Sequence, residues 1–133
     1  MNLLKLYLIH KSFDNTNNNE KLEFLGDRVL GLIISKKLIE IYPKEKEGII
    51  DKKFANLVNK KTCSTIAKNI NISKFMYLGA SHKSLQRSAD KIISDCLEAI
   101  IGAIYLDSGL KYAENFILKF WKNFLENSTV TLI

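Results

Sequence analysis

The stretch that decides the fold is Asn19-Glu20-Lys21-Leu22-Glu23-Phe24-Leu25-Gly26-Asp27-Arg28-Val29-Leu30-Gly31. On a helix of about 3.6 residues per turn, three acids lie close to one line: Glu20, Glu23 and Asp27. The opposite side is apolar and comprises Leu22, Leu25, Val29, Leu32 and Ile33. Like charges at this spacing repel by about 0.2–0.5 kcal/mol per pair, so helix stability alone does not favour the acids. We therefore expect a cation to face them, and interpret the stretch as half of a metal site.

The composition indicates one globular domain with a packed core. The chain has 133 residues, of which 47% are hydrophobic, and a formal net charge of +6. A chain of this length can bury roughly two-thirds of the surface that it exposes when unfolded. The positive charge comes mostly from lysine, since Arg28 and Arg87 are the two arginines. This balance favours recognition of a polyanion by shape and backbone contacts over base-sequence reading, although solvation is the commoner role of any single lysine.

The cysteines and the apolar segments indicate the cellular location of the protein. Cys63 and Cys96 are far apart and form no Cys-x-x-Cys pair, so neither a zinc site nor a disulfide framework is indicated. The longest apolar run, 97–106, contains Glu98 and is far shorter than the roughly 20 residues that cross a bilayer. Met1 to Ile9 is short and no cleavage site follows it. We predict a soluble cytoplasmic protein with no membrane partner.

Helical periodicity along the chain predicts an all-α fold. We expect a short helix over 2–9 and then an Asn-rich loop over 14–19, whose last residues cap the next helix. That helix should run to about Ile41 or Tyr42, because Pro43 disfavours helical geometry in the residue before it. After a loop over 43–48, one long helix is expected over 49–70. Its inward residues would be Phe54, Leu57, Val58, Ile66 and Ala67, and its outward ones Lys52, Lys53, Lys60, Lys61 and Lys68.

The C-terminal half predicts two more long helices. A short segment over 73–77 and a loop over 78–83 precede a helix over 88–106. The last helix, over 110–125, should bury Ala113, Phe116, Ile117, Phe120, Trp121 and Phe124. No internal repeat is found, and no strand pattern outweighs the helical one.

The helix over 88–106 carries a second acidic motif. One narrow strip holds its polar residues and a glycine, namely Lys91, Asp95, Glu98, Gly102 and Tyr105, and the rest is almost wholly apolar. A helix that is apolar over most of its circumference is buried on most sides. Two carboxylates are costly there unless they are solvated, hydrogen-bonded or paired with cations. Periodicity alone leaves a narrow wet face as an equal alternative.

Two glycines suggest how the acidic motifs could meet. Gly102 follows Glu98 by four residues, as Gly31 follows Asp27. We predict that the two helices cross at these glycines, because a missing side chain lets another backbone come close. Such a crossing would bring four carboxylates around one point: Glu23, Asp27, Asp95 and Glu98. A set of oxygen ligands suits Mg²⁺ or Mn²⁺ rather than zinc or copper.

These motifs resemble the catalytic domain of the ribonuclease III family. Residues 19–27 are similar to the family signature, with Lys21 in place of the usual Arg. The resemblance extends over about 1–127, through His10-Lys11-Ser12, Tyr42-Pro43, Glu47-Gly48, Leu78-Gly79 and the run 94–109. It implies the helical fold of that endonuclease domain, in which two long helices contribute an acidic metal site.

The resemblance also implies roles for individual residues. Glu23, Asp27, Asp95 and Glu98 match the family's metal-binding carboxylates, with Asp27 and Glu98 as catalytic residues. Glu20 and Glu47 match further acids of the catalytic valley. Phe24 matches the aromatic residue that joins two such domains into a homodimer. Its place beside the line of acids agrees with this role, and the alternative is an aromatic that shields the site within one subunit.

The implied activity is Mg²⁺-dependent hydrolysis of phosphodiester bonds in double-stranded RNA, with Mn²⁺ as a substitute and no nucleotide or organic cofactor. The products would be 5′-phosphate and 3′-hydroxyl ends with short 3′ overhangs, as in processing of rRNA and mRNA precursors. The chain departs from the family at 80–87, where a glycine-rich acidic loop is common, and at Ile9, where Thr is often found. We expect a catalytic domain trimmed of a double-stranded-RNA-binding domain in preference to a stand-alone form, with 128–133 as a frayed tail or linker.

Two other functions can be weighed against this one. A catalytically inactive RNA-binding or ribosome-associated module of the same fold would be expected to lose at least one of the four acids, and all four are present. A ferritin-like bundle that binds iron would carry Glu-x-x-His pairs. Neither His10 nor His82 follows a glutamate at that spacing.

Overall fold

The computed structural model describes residues 19–72 and 89–128, and five helices make up most of both segments. In chain order they are α1 (Glu20–Ile41), α2 (Glu47–Val58), α3 (Lys60–Asn69), α4 (Ala89–Ser108) and α5 (Leu110–Glu126). No strand occurs in the two segments, so the predicted all-α class is confirmed. The predictions for 2–9, 73–77, 78–83 and 80–87, and those for His10 and His82, fall outside the described residues.

Helix α1 begins and ends as the sequence predicts, but not with the expected cap. Glu20 and Glu23 lie in its first turn, where the helix dipole favours acids. The side chain of Asn19 makes no capping hydrogen bond, and its backbone carbonyl accepts the bond from the Glu23 amide at 2.8 Å instead. At the other end the Tyr42 amide donates to Leu38 at 2.9 Å, directly before Pro43. The prediction of a side-chain cap was therefore wrong for Asn19, the one residue of the predicted loop that the structure describes.

The buried face of α1 is a row of residues spaced by four, running through Leu22, Gly26, Leu30, Ile34 and Leu38. Val29 and Ile33 flank this row and are also buried. Leu25 is half-buried and Leu32 is exposed, so the predicted apolar face was wrong at Leu32. The prediction missed the centre of the row because Gly26 interrupts its apolar character in the sequence.

The single helix predicted over 49–70 is two helices that meet at Asn59. This residue is extended, with φ −70° and ψ 165°, which ends α2. Its side-chain Oδ1 accepts a hydrogen bond from the Thr62 amide at 2.8 Å and so caps α3. Because an Asn side chain can satisfy an orphan amide of the first turn, the break costs little backbone hydrogen bonding.

Lys53 was predicted to face solvent, but its side chain is buried. The ammonium group donates to the carbonyl oxygen of Ser128 at 2.8 Å and lies 4.2 Å from the centre of the Tyr42 ring. A buried lysine is tolerated when its charged end finds an acceptor and its methylene stem packs among apolar groups. Lys53 therefore ties α2 to the residues that follow α5.

Helix α5 closes the core with Trp121, which is fully buried and donates its indole N–H to the Leu57 carbonyl at 2.9 Å. Ala113, Ile117 and Leu125 are buried on the same face. The three phenylalanines predicted on this face, Phe116, Phe120 and Phe124, are half-buried rather than buried. The core takes side chains from all five helices, with α1 and α4 at its centre. None of the described helices is long and apolar enough to span a membrane.

Candidate active site

The backbones of α1 and α4 touch where Gly26 meets Gly102. A Cβ atom at Gly26 would overlap the backbone carbonyl of Glu98 and lie 2.9 Å from the Gly102 nitrogen. A Cβ atom at Gly102 would overlap the carbonyl of Leu22 and lie 3.1 Å from the Gly26 nitrogen. The predicted close approach of α1 and α4 is therefore present, and Gly102 is part of it.

The glycine chosen on α1 was wrong. Gly31 does not lie at the crossing, because its nearest neighbour is the ring of Phe54, at 3.6 Å from a Cβ atom placed there. The contacts of Gly26 with Glu98 and of Gly102 with Leu22 show that the two helices cross in an antiparallel sense. This arrangement brings the acids that precede Gly102 beside the acids that surround Gly26.

The crossing brings the predicted acids together. Glu23, Asp95 and Glu98 each offer a carboxylate oxygen, and the three oxygens lie within 4.8 Å of one another. Asp27 joins them through a hydrogen bond between its side chain and that of Glu98. Asp95 is buried, Glu23 and Glu98 are half-buried, and Asp27 is exposed at the edge. We refer to these four residues as the acidic cluster.

The acidic cluster opens into a cavity of roughly 360 Å³, which is lined by Glu20, Glu23, Phe24, Asp27, Arg28 and Glu98. Glu20 thus lies beside the cluster. Glu47 is the exposed first residue of α2 and is not among the described residues that line the cavity. Phe24 lines the cavity at its rim and is 61% exposed.

The Glu98 carboxyl group has a strongly raised pKa. Burial raises the pKa of its carboxyl group to about 9, with further contributions from the hydrogen bond to Asp27 and from the charges of Asp27, Glu23 and Asp95. In the absence of a bound cation, Glu98 therefore holds a proton at neutral pH. A cation in the cluster would favour the ionised form and release that proton.

Two basic side chains border the acidic cluster. The ammonium group of Lys91 donates to Oδ2 of Asp95 at 2.7 Å, and this hydrogen bond is the main reason that the pKa of Lys91 is raised. Nη1 of Arg28 lies 3.3 Å from Oδ2 of Asp27, and its guanidinium group stacks 3.9 Å from the centre of the Phe24 ring. Sequence reasoning gave neither a role in the site. The spacing of Lys91 four residues before Asp95 was a usable signal.

The two cysteines lie in the core behind the cluster as buried thiols. Burial raises the pKa of Cys63 to about 12, with Glu98 and Asp27 adding to the effect. Burial also raises the pKa of Cys96 to about 12, with a contribution from Asp95. Both therefore remain protonated and act as apolar packing residues.

The donor set of the cluster fits a hard divalent cation. All its ligand atoms are carboxylate oxygens, the donors that Mg²⁺, Mn²⁺ and Ca²⁺ prefer. Two oxygens on opposite sides of Mg²⁺ lie about 4 Å apart, so three oxygens within 4.8 Å of one another could surround an ion after small side-chain movements. The fold and the site together define an all-helical domain whose carboxylate cluster is compatible with a divalent metal site.

The family model described as Ribonuclease-III-like matches residues 1–124. The chain is 60% identical over 127 residues to Ribonuclease 3 of Pelagibacter ubique, which covers 95% of this chain and 57% of that protein. It is 41% identical over 134 residues to Ribonuclease 3 of Campylobacter jejuni subsp. doylei, which covers 99% of this chain and 60% of that protein. The chain belongs to the ribonuclease-III-like family, as its motifs predicted, and it spans less than two-thirds of these curated relatives.

Solved structures agree on the fold. The nuclease domain of ribonuclease III from Campylobacter jejuni superposes with a TM-score of 0.86 at 41% identity, over 92% of this chain and 87% of that one. Dicer from Pichia stipitis gives a TM-score of 0.74 at 23% identity, over 96% of this chain and 59% of that one, and at this identity the likeness concerns the fold alone.

Proposed function

We propose that this chain is the nuclease domain of an endoribonuclease that hydrolyses phosphodiester bonds in double-stranded RNA with the help of Mg²⁺, for which Mn²⁺ can substitute. The observation that carries the proposal is the convergence of Glu23, Asp95 and Glu98 in a member of the ribonuclease-III-like family. The products are 5′-phosphate and 3′-hydroxyl ends with short 3′ overhangs, and the substrates are precursors of rRNA and mRNA.

The acidic cluster has the composition that this chemistry requires. Glu23, Asp95 and Glu98 hold the cation, and Asp27 completes the ligand set from the edge of the cavity. A bound divalent ion supplies the activation of a water molecule and stabilises charge on the phosphoryl oxygens, so that no protein nucleophile is needed. Asp27 and Glu98 are the proposed catalytic residues because they match those of the family, and their side chains are joined by one hydrogen bond.

The other charged residues near the cavity affect how strongly its mouth repels phosphate. A cluster of carboxylates repels phosphate, and Arg28 offsets part of this repulsion by pairing with Asp27 at the rim. Glu20 lines the same cavity, and Glu47 is proposed as a further acid of the catalytic valley because it matches the family at that position. Duplex RNA is recognised mainly by shape and backbone contacts across its wide minor groove, which suits a lysine-rich chain.

We also propose that the domain acts as a homodimer joined at Phe24. A large aromatic side chain that is 61% exposed beside the cavity is suited to insertion into a partner. A two-fold axis would present one acidic cluster to each RNA strand. The protein from Campylobacter jejuni with the TM-score of 0.86 has a region involved in dimer formation. We place the activity in the cytoplasm, where the thiols of Cys63 and Cys96 stay reduced.

Cleavage of a duplex RNA tests the proposal directly. The protein is incubated with the duplex in the presence of Mg²⁺ or of a chelator, and the product ends are mapped. We expect the wild type to cleave the duplex in Mg²⁺ but not in chelator, and we expect Glu98→Gln to have lost this cleavage. Glu40→Gln is the matched control, because Glu40 is exposed near the far end of α1, outside the residues that line the cavity. Cleavage by Glu98→Gln at the wild-type rate, or undiminished cleavage in the chelator, would refute the assignment.

A further inference from the structure

Lys91 reaches across the edge of the acidic cluster. Its ammonium group lies 2.7 Å from Oδ2 of Asp95, one turn further along α4. The lysine side chain is 46% exposed, whereas that of Asp95 is 7% exposed. The ammonium group of Lys91 therefore approaches the largely buried carboxylate of Asp95 from the solvent side. From there another cation could displace it.

The pKa of Lys91 depends on three carboxylates, not on Asp95 alone. After the hydrogen bond to Asp95 and the opposing effect of burial, the charges of Asp95, Glu23 and Glu98 each raise the pKa of Lys91. These are the same three residues whose oxygens lie within 4.8 Å of one another. Lys91 is thus, beside Arg28, one of two described cations that border the cluster, and it is the one that pairs with the buried Asp95.

We propose that Lys91 is a tethered counterion of the acidic cluster, which competes with a divalent cation for Asp95. The inference rests on the metal site of the proposed function. Without metal, the lysine offsets part of the repulsion among the carboxylates and so stabilises the crossing of α1 and α4. When metal enters, the two cations repel each other and share one carboxylate, so the lysine lowers metal affinity. Lys91 is in this sense a positioning residue that sets the metal concentration at which the site fills.

A simple helix pair offers the competing explanation. Lysine and aspartate four residues apart often pair on a helix surface. Such a pair adds little to the stability of the fold and affects no distant site. The chain supplies an exposed lysine–aspartate pair for comparison in Lys68 and Asp90, which joins α3 to the start of α4 at 2.8 Å. Asp90 is not part of the acidic cluster.

The experiment compares Lys91→Met, Lys91→Arg and Lys68→Met with the wild type. Binding of Mn²⁺ and Mg²⁺ is measured by titration calorimetry at low ionic strength, and thermal unfolding is followed in chelator and in saturating Mg²⁺. We expect Lys91→Met to bind metal roughly three- to tenfold more tightly, because one unit charge near a divalent ion is removed. Its melting temperature should fall in chelator and recover in Mg²⁺. Lys91→Arg keeps the charge and should resemble the wild type, as should Lys68→Met in its metal affinity.

Three outcomes would overturn the inference. Unchanged or weaker metal binding by Lys91→Met would show that the lysine does not compete. An equal loss of melting temperature in chelator and in Mg²⁺ would show an ordinary structural ion pair. If the wild type bound no metal at all, both this inference and the proposed function would fail, whereas equal affinities of wild type and Lys91→Met would remove the inference alone.

Discussion

Gly26 and Gly102 face each other across the crossing of α1 and α4, and each leaves room for a backbone atom of the other helix. This contact sets the distance between Glu23 on α1 and the pair Asp95 and Glu98 on α4. A methyl group at either glycine would have to displace a carbonyl group of the opposite backbone rather than a flexible side chain. The position of the acidic cluster therefore depends on two residues that carry no functional group.

Gly26→Ala and Gly102→Ala should each destabilise the fold by about 3 kcal/mol or more, because overpacking against a backbone cannot be relieved by a rotamer change. The free energy of unfolding in urea measures the effect. Gly31→Ala is the matched control on the same helix, since its methyl group would meet the Phe54 ring at 3.6 Å, an ordinary contact. Alanine also has the higher helix propensity, by about 1 kcal/mol, so this control should be neutral or stabilising. Equal losses at Gly26 and Gly31 would contradict the assignment of the crossing.

The features predicted from the sequence are those set by neighbouring residues. The span of α1 follows from its first acids and from Pro43, and the two acidic motifs follow from helical spacing. The break at Asn59 was missed because the residues on both sides of it suit one continuous helix. Its cause is a single side-chain bond to Thr62, which competes with helix continuation and leaves no trace in the hydrophobic pattern.

The features that were not predicted depend on distant parts of the chain. Lys53 is buried because its ammonium group meets the carbonyl oxygen of Ser128, 75 residues away. The choice between Gly26 and Gly31 depends on where α4 crosses α1, which no local pattern states. Phenylalanines of α5 are half-buried because Trp121 and Ile117 occupy the centre of its face. The convergence of the acids was predicted from a helix crossing at glycines, and Gly102 does lie at that crossing, with Gly26 rather than Gly31 opposite it.

The raised pKa of Glu98 predicts how stability depends on pH without metal. The folded value is about 9 and the ordinary value is 4.5, so the folded state holds more protons than the unfolded state between them. The contribution of Glu98 to stability is therefore complete below about pH 4.5 and is lost as the pH rises towards about 9. We expect the urea midpoint of the wild type in chelator to fall relative to that of Glu98→Gln over this range. A difference between the two that stays constant with pH would refute the shift.

The proton on the Glu98 carboxyl group should be released to the buffer when metal binds. At neutral pH the Glu98 carboxyl group is protonated in the metal-free protein, and a divalent cation requires it ionised. The heat of Mg²⁺ binding should therefore vary with the ionisation enthalpy of the buffer, with a slope that indicates up to about one proton released per site. The slope should become small near pH 10, where Glu98 is already ionised. A heat that is independent of the buffer at neutral pH would show that no proton leaves Glu98 when the metal binds, and would contradict its raised pKa.

Phe24 predicts the oligomeric state. Phe24→Ala should shift the protein from dimer towards monomer in sedimentation, because the exposed ring at the cavity rim is the proposed joint. Its removal should cost the isolated domain little, since the ring is 61% exposed and its described contact is the stacked Arg28. Ile39→Ala is the matched control, as Ile39 is 63% exposed on the same helix at the end remote from the cavity.

Comparing Phe24→Ala with Ile39→Ala shows whether the dimer depends on Phe24 in particular or on exposed apolar area in general. If exposed apolar area alone drove association, Ile39→Ala would weaken the dimer as much as Phe24→Ala, because both remove a large exposed side chain from α1. If Phe24 shields the site within one subunit, Phe24→Ala would leave sedimentation unchanged and would instead alter metal affinity. A weakened dimer in Phe24→Ala with unaltered Mg²⁺ binding is the result expected of a joint that positions two intact acidic clusters.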